Sequence, residues 1–188
     1  MLIALLVAPA TPLHLDSKSV AHSYSRSSAV QDSLAVNRLM REVRHELITL
    51  PYYDVFDWLE AEIQPDGTVV LRGQVVRPTT KSDAEGRVKR LEDVKQVINE
   101  VEVLPVSPND NRLRMAIYRT LFNYNSPLFR YAIQSVPSIH IIVKNGRATL
   151  KGLVASEQDK QLAYMRARGV AGLFEVRNEL QVEGQTAR

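Results

Sequence analysis

Apolar positions in this chain change period in a fixed order, and the order occurs twice. Leu39, Met40, Val43 and Leu47 recur at three- and four-residue spacing, which predicts an amphipathic helix. Asp32 or Ser33 is placed to cap its start, because a short side-chain oxygen can accept from the free amides of a first turn. After Pro51-Tyr52-Tyr53 the period drops to two: Leu59, Ala61 and Ile63 alternate as a half-buried strand. Pro65-Asp66-Gly67 turns the chain, and Val69, Leu71, Gly73 and Val75 alternate on the return. A helix opened by Thr79 or Thr80 then buries Ala84, Val88 and Leu91, and Val97, Val101 and Val103 form a last strand.

The second half repeats this order. Leu113, Ile117 and Leu121 share a helical face, and Ile139, Ile141 and Val143 run into Asn145-Gly146, a two-residue hairpin signal. Ser156-Glu157-Gln158-Asp159 resembles a capping box with Asp in place of Glu. Ala163, Ala167 and Val170 follow on one face, Gly172 is expected to end that helix in a left-handed turn, and Phe174 to Val182 is the last strand. The two halves align at an offset of 79 from Gly67/Gly146 onward, pairing Leu71 with Leu150, Gly73 with Gly152 and Asn99 with Asn178. The first helices align at 74, so the second copy is five residues longer between its first helix and its hairpin.

The expected fold class is therefore α+β: two tandem helix–strand–strand–helix–strand repeats. Each is a three-stranded mixed sheet with two helices on one face, the crossover making the last strand parallel to the second. The expected domains are 33–105 and 106–183, joined by the proline-stiffened connector 105–110 and followed by a tail, 184–188. Each copy is small and its core marginal, which favours docking of one copy on the other.

The pattern Asn/Asp-Gly-x-x-x-Leu-x-Gly-x-Val, a helix with a small-residue turn, then Val-x-Asn-x-Leu/Val-x-Val resembles the BON family. The first copy supplies Asp66-Gly67, Leu71, Gly73, Val75, Val97, Asn99, Val101 and Val103. The second supplies Asn145-Gly146, Leu150, Gly152, Val154, Val176, Asn178, Leu180 and Val182. The first departs at Leu91-Glu92-Asp93-Val94, where the second has Gly172. The resemblance implies a non-enzymatic periplasmic or envelope protein that binds phospholipid membranes or other envelope components, often in osmotic-stress protection and outer-membrane integrity. The motif residues Gly67, Leu71, Gly73, Asn99, Gly146, Leu150, Gly152, Gly172 and Asn178 are structural in that reading.

Composition narrows the chemistry. The chain has 188 residues and no cysteine, which removes disulfides, thiolate metal sites, thiol nucleophiles and an acylated lipoprotein cysteine. The four histidines lack metal spacing, the glycines belong to turns and strands, and Glu60 and Glu62 alternate with apolar residues as a solvated strand face. Gly169-Val170-Ala171-Gly172 matches the Gly-x-x-Gly loop of KH modules, but a strand follows it where that fold needs a helix. No catalysis, metal or cofactor is expected, and nucleic acid is the weakest of the partner classes despite a pI near 9.2. At the N-terminus, 1–10 fits a truncated secretory signal with Ala8-Pro9-Ala10 at its end, and the Ser-rich 11–31 reads as a disordered tether. No later run approaches the ~20 apolar residues of a membrane span.

Charge separates the copies. Residues 106–188 hold 12 Lys/Arg against 6 Asp/Glu, net +6; residues 33–105 hold 10 against 13, net −3. Three readings of the split stand: the second copy meets an anionic phospholipid surface, the split orients the copies in an envelope-protein adaptor, or it is drift among solvated charges. Membrane-contact candidates are Arg112, Met115 and Arg119, with Phe122, on one helix face, Phe129, Arg130 and Tyr131 in the longer loop, and Lys144; the alternative for Phe122, Phe129 and Tyr131 is that they cap the core.

Overall fold

A computed structural model describes residues 34–134 and 137–184. The expected signal, the tether, the Asp32/Ser33 cap and the last four residues lie outside them. The order of elements is α1 (34–48), β1 (Trp58–Ile63), β2 (Thr68–Val75), α2 (Pro78–Val88), β3 (Gln96–Asn99) and β4 (Glu102–Val103). There follow α3 (Pro108–Leu121), a 3-10 helix (Pro127–Tyr131), β5 (Ile139–Lys144), β6 (Arg147–Val154), α4 (Glu157–Arg168) and β7 (Glu175–Val182). In both repeats the hairpin is antiparallel and the crossover strand runs parallel to the second strand. This is the expected α+β tandem.

Four local expectations differ from the structure. The first repeat's last strand is two segments, β3 and β4, both on β2 in one register: Leu71 faces Asn99 and Gln74 faces Glu102. Helix α2 starts at Pro78, ahead of Thr79 and Thr80, because proline's fixed φ suits the first helical position. Helix α4 ends at Gly169 in right-handed conformation, and the left-handed glycine, Gly172 at φ +93°, lies beyond it in the turn. Part of the expected connector is also helix: Ser107 caps α3 by accepting from the Asp110 amide at 3.1 Å, so Pro108–Asp110 are its first turn.

The motif residues have matched tasks in both copies. Leu71 and Leu150 are fully buried. Gly73 and Gly152 sit at φ +125° and +117°, where a Cβ would lie 1.9 Å from the Trp58 carbonyl oxygen and 2.0 Å from that of Ser138. The neighbouring strand passes too close for any side chain. Asn99 and Asn178 tie the last strand to the crossover helix. Each amide donates at 3.0 Å to a helix carbonyl, Lys81 or Lys160, and each side-chain oxygen accepts from the amide two residues on.

The repeats do not have equally self-contained cores. Leu39, Val43, Leu47, Leu71, Ala84 and Val101 build the first. The second, around Leu113, Ile117, Ile141 and Leu150, also takes in Val55 from the loop ahead of β1, with Phe56 packed against it. The Val55 carbonyl accepts from the Ile141 amide at 2.7 Å, covering an edge position of β5. Docking of the copies thus runs through a short strap, Tyr53–Trp58, which supplies the second core with a side chain it lacks.

Candidate functional site

Among the described residues no group of His, Cys, Asp and Glu could hold a metal. The site question is therefore which surfaces of the second repeat are open and which are already engaged.

Helix α3 presents Arg112, Met115 and Arg119 outward, as their spacing implies. Arg112 donates to Asn109 at 2.9 Å and Met115 is 41% exposed. Phe122, assigned to the same face, is buried instead, its ring edge-on to Tyr118, because the helix ends at Leu121 and the chain turns inward. The longer loop holds both kinds of residue. Tyr131 is buried: its hydroxyl donates to Asp159 at 2.9 Å and accepts from the Ala155 amide at 2.9 Å. It joins the 3-10 helix to the start of α4 and is removed from the contact set. Arg130 lies exposed on the same carboxylate. Burial alone would raise the Asp159 carboxyl, but bonds from Ser156 and Tyr131 and the Arg130 charge outweigh it and hold it below the usual carboxylate range. Of the expected Ser156–Asp159 capping box only the N-cap half forms: the Ser156 oxygen accepts from the Asp159 amide at 3.2 Å, while the Asp159 carboxylate accepts from the Ser156 hydroxyl at 2.9 Å rather than from its backbone amide.

Phe129 is half-buried and contacts Tyr124, ring centroids 5.5 Å apart. Tyr124, 85% exposed, and Ile133, 68% exposed, are large apolar side chains on the same surface that the sequence pattern does not single out. Their signal was available: apolar groups within the one insertion that the first repeat lacks.

Lys144 is exposed but pairs across the repeats with Glu102, and Lys151 similarly reaches Glu60 at 3.6 Å. These pairs join the outward faces of the two sheets. A cleft of about 430 Å³ beside them is lined by Lys144, Arg147, Lys151 and Arg177, and each of these cations already holds a carboxylate. His140, near the same junction, is buried between Tyr53 and Trp58, centroids 5.5 and 5.1 Å away. Burial lowers its pKa.

Two tandem units of this topology, with a hairpin glycine, a strand glycine and a helix-binding asparagine in each, carry the family signature. The BON domain profile matches residues 57–105 and 109–184, more than half of the chain. The chain belongs to the BON-domain family. BON domains are generally non-catalytic and typical of envelope-associated proteins. No curated protein matches the chain. Two solved structures similar to it are of CdsD, a structural protein of the type III secretion system of Chlamydia trachomatis. The first is 14% identical over 78% of this chain and 94% of that one, with a TM-score of 0.30. The second, of the C-terminal domain, is 15% identical over 77% and 96%, with a TM-score of 0.29. Among the described residues no helix of this BON-domain chain is long and apolar enough to cross a membrane.

Proposed function

We infer that this BON-domain chain is a non-enzymatic, exported envelope protein. Its second repeat docks peripherally on anionic phospholipid surfaces in support of envelope integrity or osmotic tolerance. The observation that carries the reading is the open surface of α3 and its following loop. Arg112, Met115 and Arg119 are followed along the chain by the exposed Tyr124 against Phe129, then Arg130 and Ile133. Arginines beside amphipathic rings suit the headgroup level of a bilayer. A basic residue near an anionic membrane contributes ~1 kcal/mol, so three of them give ~3 kcal/mol. That is weaker than millimolar binding, for which ~4 kcal/mol is needed, and the rings must supply the rest.

The test is co-sedimentation of the whole chain with phosphatidylglycerol-containing and pure phosphatidylcholine vesicles over a salt series. Binding is expected to favour the anionic vesicles, to weaken as salt shortens the ~10 Å screening length of 0.1 M, and to be lost in Arg112→Glu/Arg119→Glu. Undiminished binding by that variant overturns the reading. A periplasmic adaptor without lipid binding is the second reading. It is favoured by the Lys144–Glu102 and Lys151–Glu60 pairs, which engage part of the charge split inside the molecule.

A further inference from the structure

The turn between crossover helix and last strand differs between the repeats in chemistry but not in geometry. At the offset of 79, Leu91-Glu92-Asp93-Val94-Lys95 aligns with Val170-Ala171-Gly172-Leu173-Phe174. The burial pattern agrees position by position: the first and fourth residues are half-buried, and the second, third and fifth are exposed. The fifth residue is anchored alike. The Lys95 amide donates to the Gly67 carbonyl at 3.0 Å and the Phe174 amide to that of Gly146 at 2.9 Å. Each side chain also lies over that hairpin glycine. The exposed positions therefore read Glu, Asp and Lys in one repeat and Ala, Gly and Phe in the other.

A five-residue turn with no polar side chain, ending in a phenylalanine 80% exposed, is costly to leave in water. Packing does not explain it, since the charged version closes the same turn in the first repeat. Cations surround it. An Arg112 guanidinium nitrogen lies 3.3 Å from where a Gly172 Cβ would stand, Arg168 is in the last turn of α4, and Arg147 follows the glycine beneath the ring. Arg147 pairs with Glu175, whereas Arg112 and Arg168 have no carboxylate partner among the described residues.

We propose that the turn 169–174 is a membrane-insertion tip, in which the Phe174 ring enters the interfacial layer of an anionic bilayer while Arg112, Arg147 and Arg168 meet lipid phosphates around it. An apolar side chain at the end of a turn reaches the acyl boundary without burying backbone, and a collar of arginines stays at headgroup level. The tip rests on the lipid-binding reading above and adds to it an insertion point in a turn outside α3 and its loop.

Phe174→Lys tests it, because the first repeat already carries lysine there and the fold tolerates it. If contact were electrostatic alone, the added charge would strengthen vesicle binding. Insertion predicts the opposite, an approximately tenfold lower partition onto phosphatidylglycerol-containing vesicles, circular dichroism being unchanged. Phe174→Trp supplies a direct reading, a blue-shifted emission component that appears with those vesicles and is quenched by brominated acyl chains. The parent's single Trp58 serves as the reference. Equal or stronger binding by Phe174→Lys, or a Phe174→Trp emission that does not shift, overturns the tip while lipid binding stands. A parent chain that sediments with no anionic vesicle overturns both.

Discussion

The two repeats share a backbone plan down to the carbonyl that each asparagine binds, yet they differ in what each needs from outside. The first closes its core with its own residues, Leu39 to Val101. The second takes Val55 from the first and shields a β5 edge amide with the same loop. Its own extra residues, the Tyr124–Ile133 region, go in part to the surface. Duplication kept the positions where backbones touch and left helix faces, turns and loops free to diverge. The expected consequence is a directional dependence, in which the second repeat packs less well without Val55 and its loop. Among the described residues, 39–184 form one compact unit that holds both cores.

That dependence is the largest effect to break. Val55→Asp places a carboxylate where Val55 is 7% exposed, among Leu113, Ile141 and Leu150, and is expected to cost about 3 kcal/mol or more. Hydrogen exchange locates the damage. Protection should fall first at Ile141 and across β5 to β7, while β1 and β2 keep theirs. Loss spread evenly over both sheets, or confined to the first, would show that the strap is not what the second repeat depends on.

Much of this plan was legible in the sequence, for a physical reason. Residues such as Leu150, Gly152 and Asn178 serve local backbone geometry and one core, so they leave periodic marks at one offset in both copies. What was not legible came from the junction. Val55 and His140 carry no periodic sign of the other repeat, and nothing local says that Tyr131 turns inward to Asp159. Phe122 lies one residue past the end of α3, where helical spacing no longer sets its direction. At Gly172 the glycine marks the turn, and the contrast between Phe174 and Lys95 emerges only when the two turns are aligned in the structure. Local rules report a residue's own element, and contacts between elements lie beyond their reach.

A middle-sized effect sits in the buried groups of the junction. Burial pushes the Asp57 carboxyl up to about 6, against the lowering effect of the hydrogen bond it accepts from the Val76 amide. A folded pKa raised above its unfolded value of 3.8 gives stability that is full below that value and is lost as pH rises through about 6. Burial lowers the pKa of His140, so its contribution has the opposite sign, present above the unfolded 6.5 and lost as pH falls below it. The groups facing this junction also include Asp54, Arg114 and Tyr53. The two slopes oppose each other in the parent. His140→Phe keeps a ring between Tyr53 and Trp58 and removes one of them, so its melting temperature should rise relative to the parent from pH 7 to pH 5. An Asp57→Asn chain should fall relative to the parent over the same interval, by roughly 1 kcal/mol in stability, since only the part of the 3.8-to-6 window above pH 5 is crossed. Parallel pH profiles for all three chains would mean that the junction does not titrate in the folded state.

The smallest effect concerns the charge split itself. Lys144–Glu102 and Lys151–Glu60 are the cross-repeat pairs, and their side chains are between 20% and 53% exposed. Pairs this wet are worth about 0–1 kcal/mol each, and salt screens them. Glu102→Gln combined with Glu60→Gln should therefore lower stability by about 1 kcal/mol or less at low salt, and by nothing measurable in 1 M sodium chloride. The same double variant separates the two uses of the split. If Lys144 and Lys151 are held for docking, the variant frees Lys144 and leaves Lys151 on Glu179 alone, making the outward face of the second sheet more positive. Anionic vesicle binding then changes little, because that face is not the α3 surface. If vesicle binding instead rises severalfold, the outward sheet face is a lipid surface as well, and the cross-repeat pairs restrain it. A stability loss well above 1 kcal/mol would place the repeats' cohesion in their charges, and Val55 would then be a lesser part of it than its burial implies.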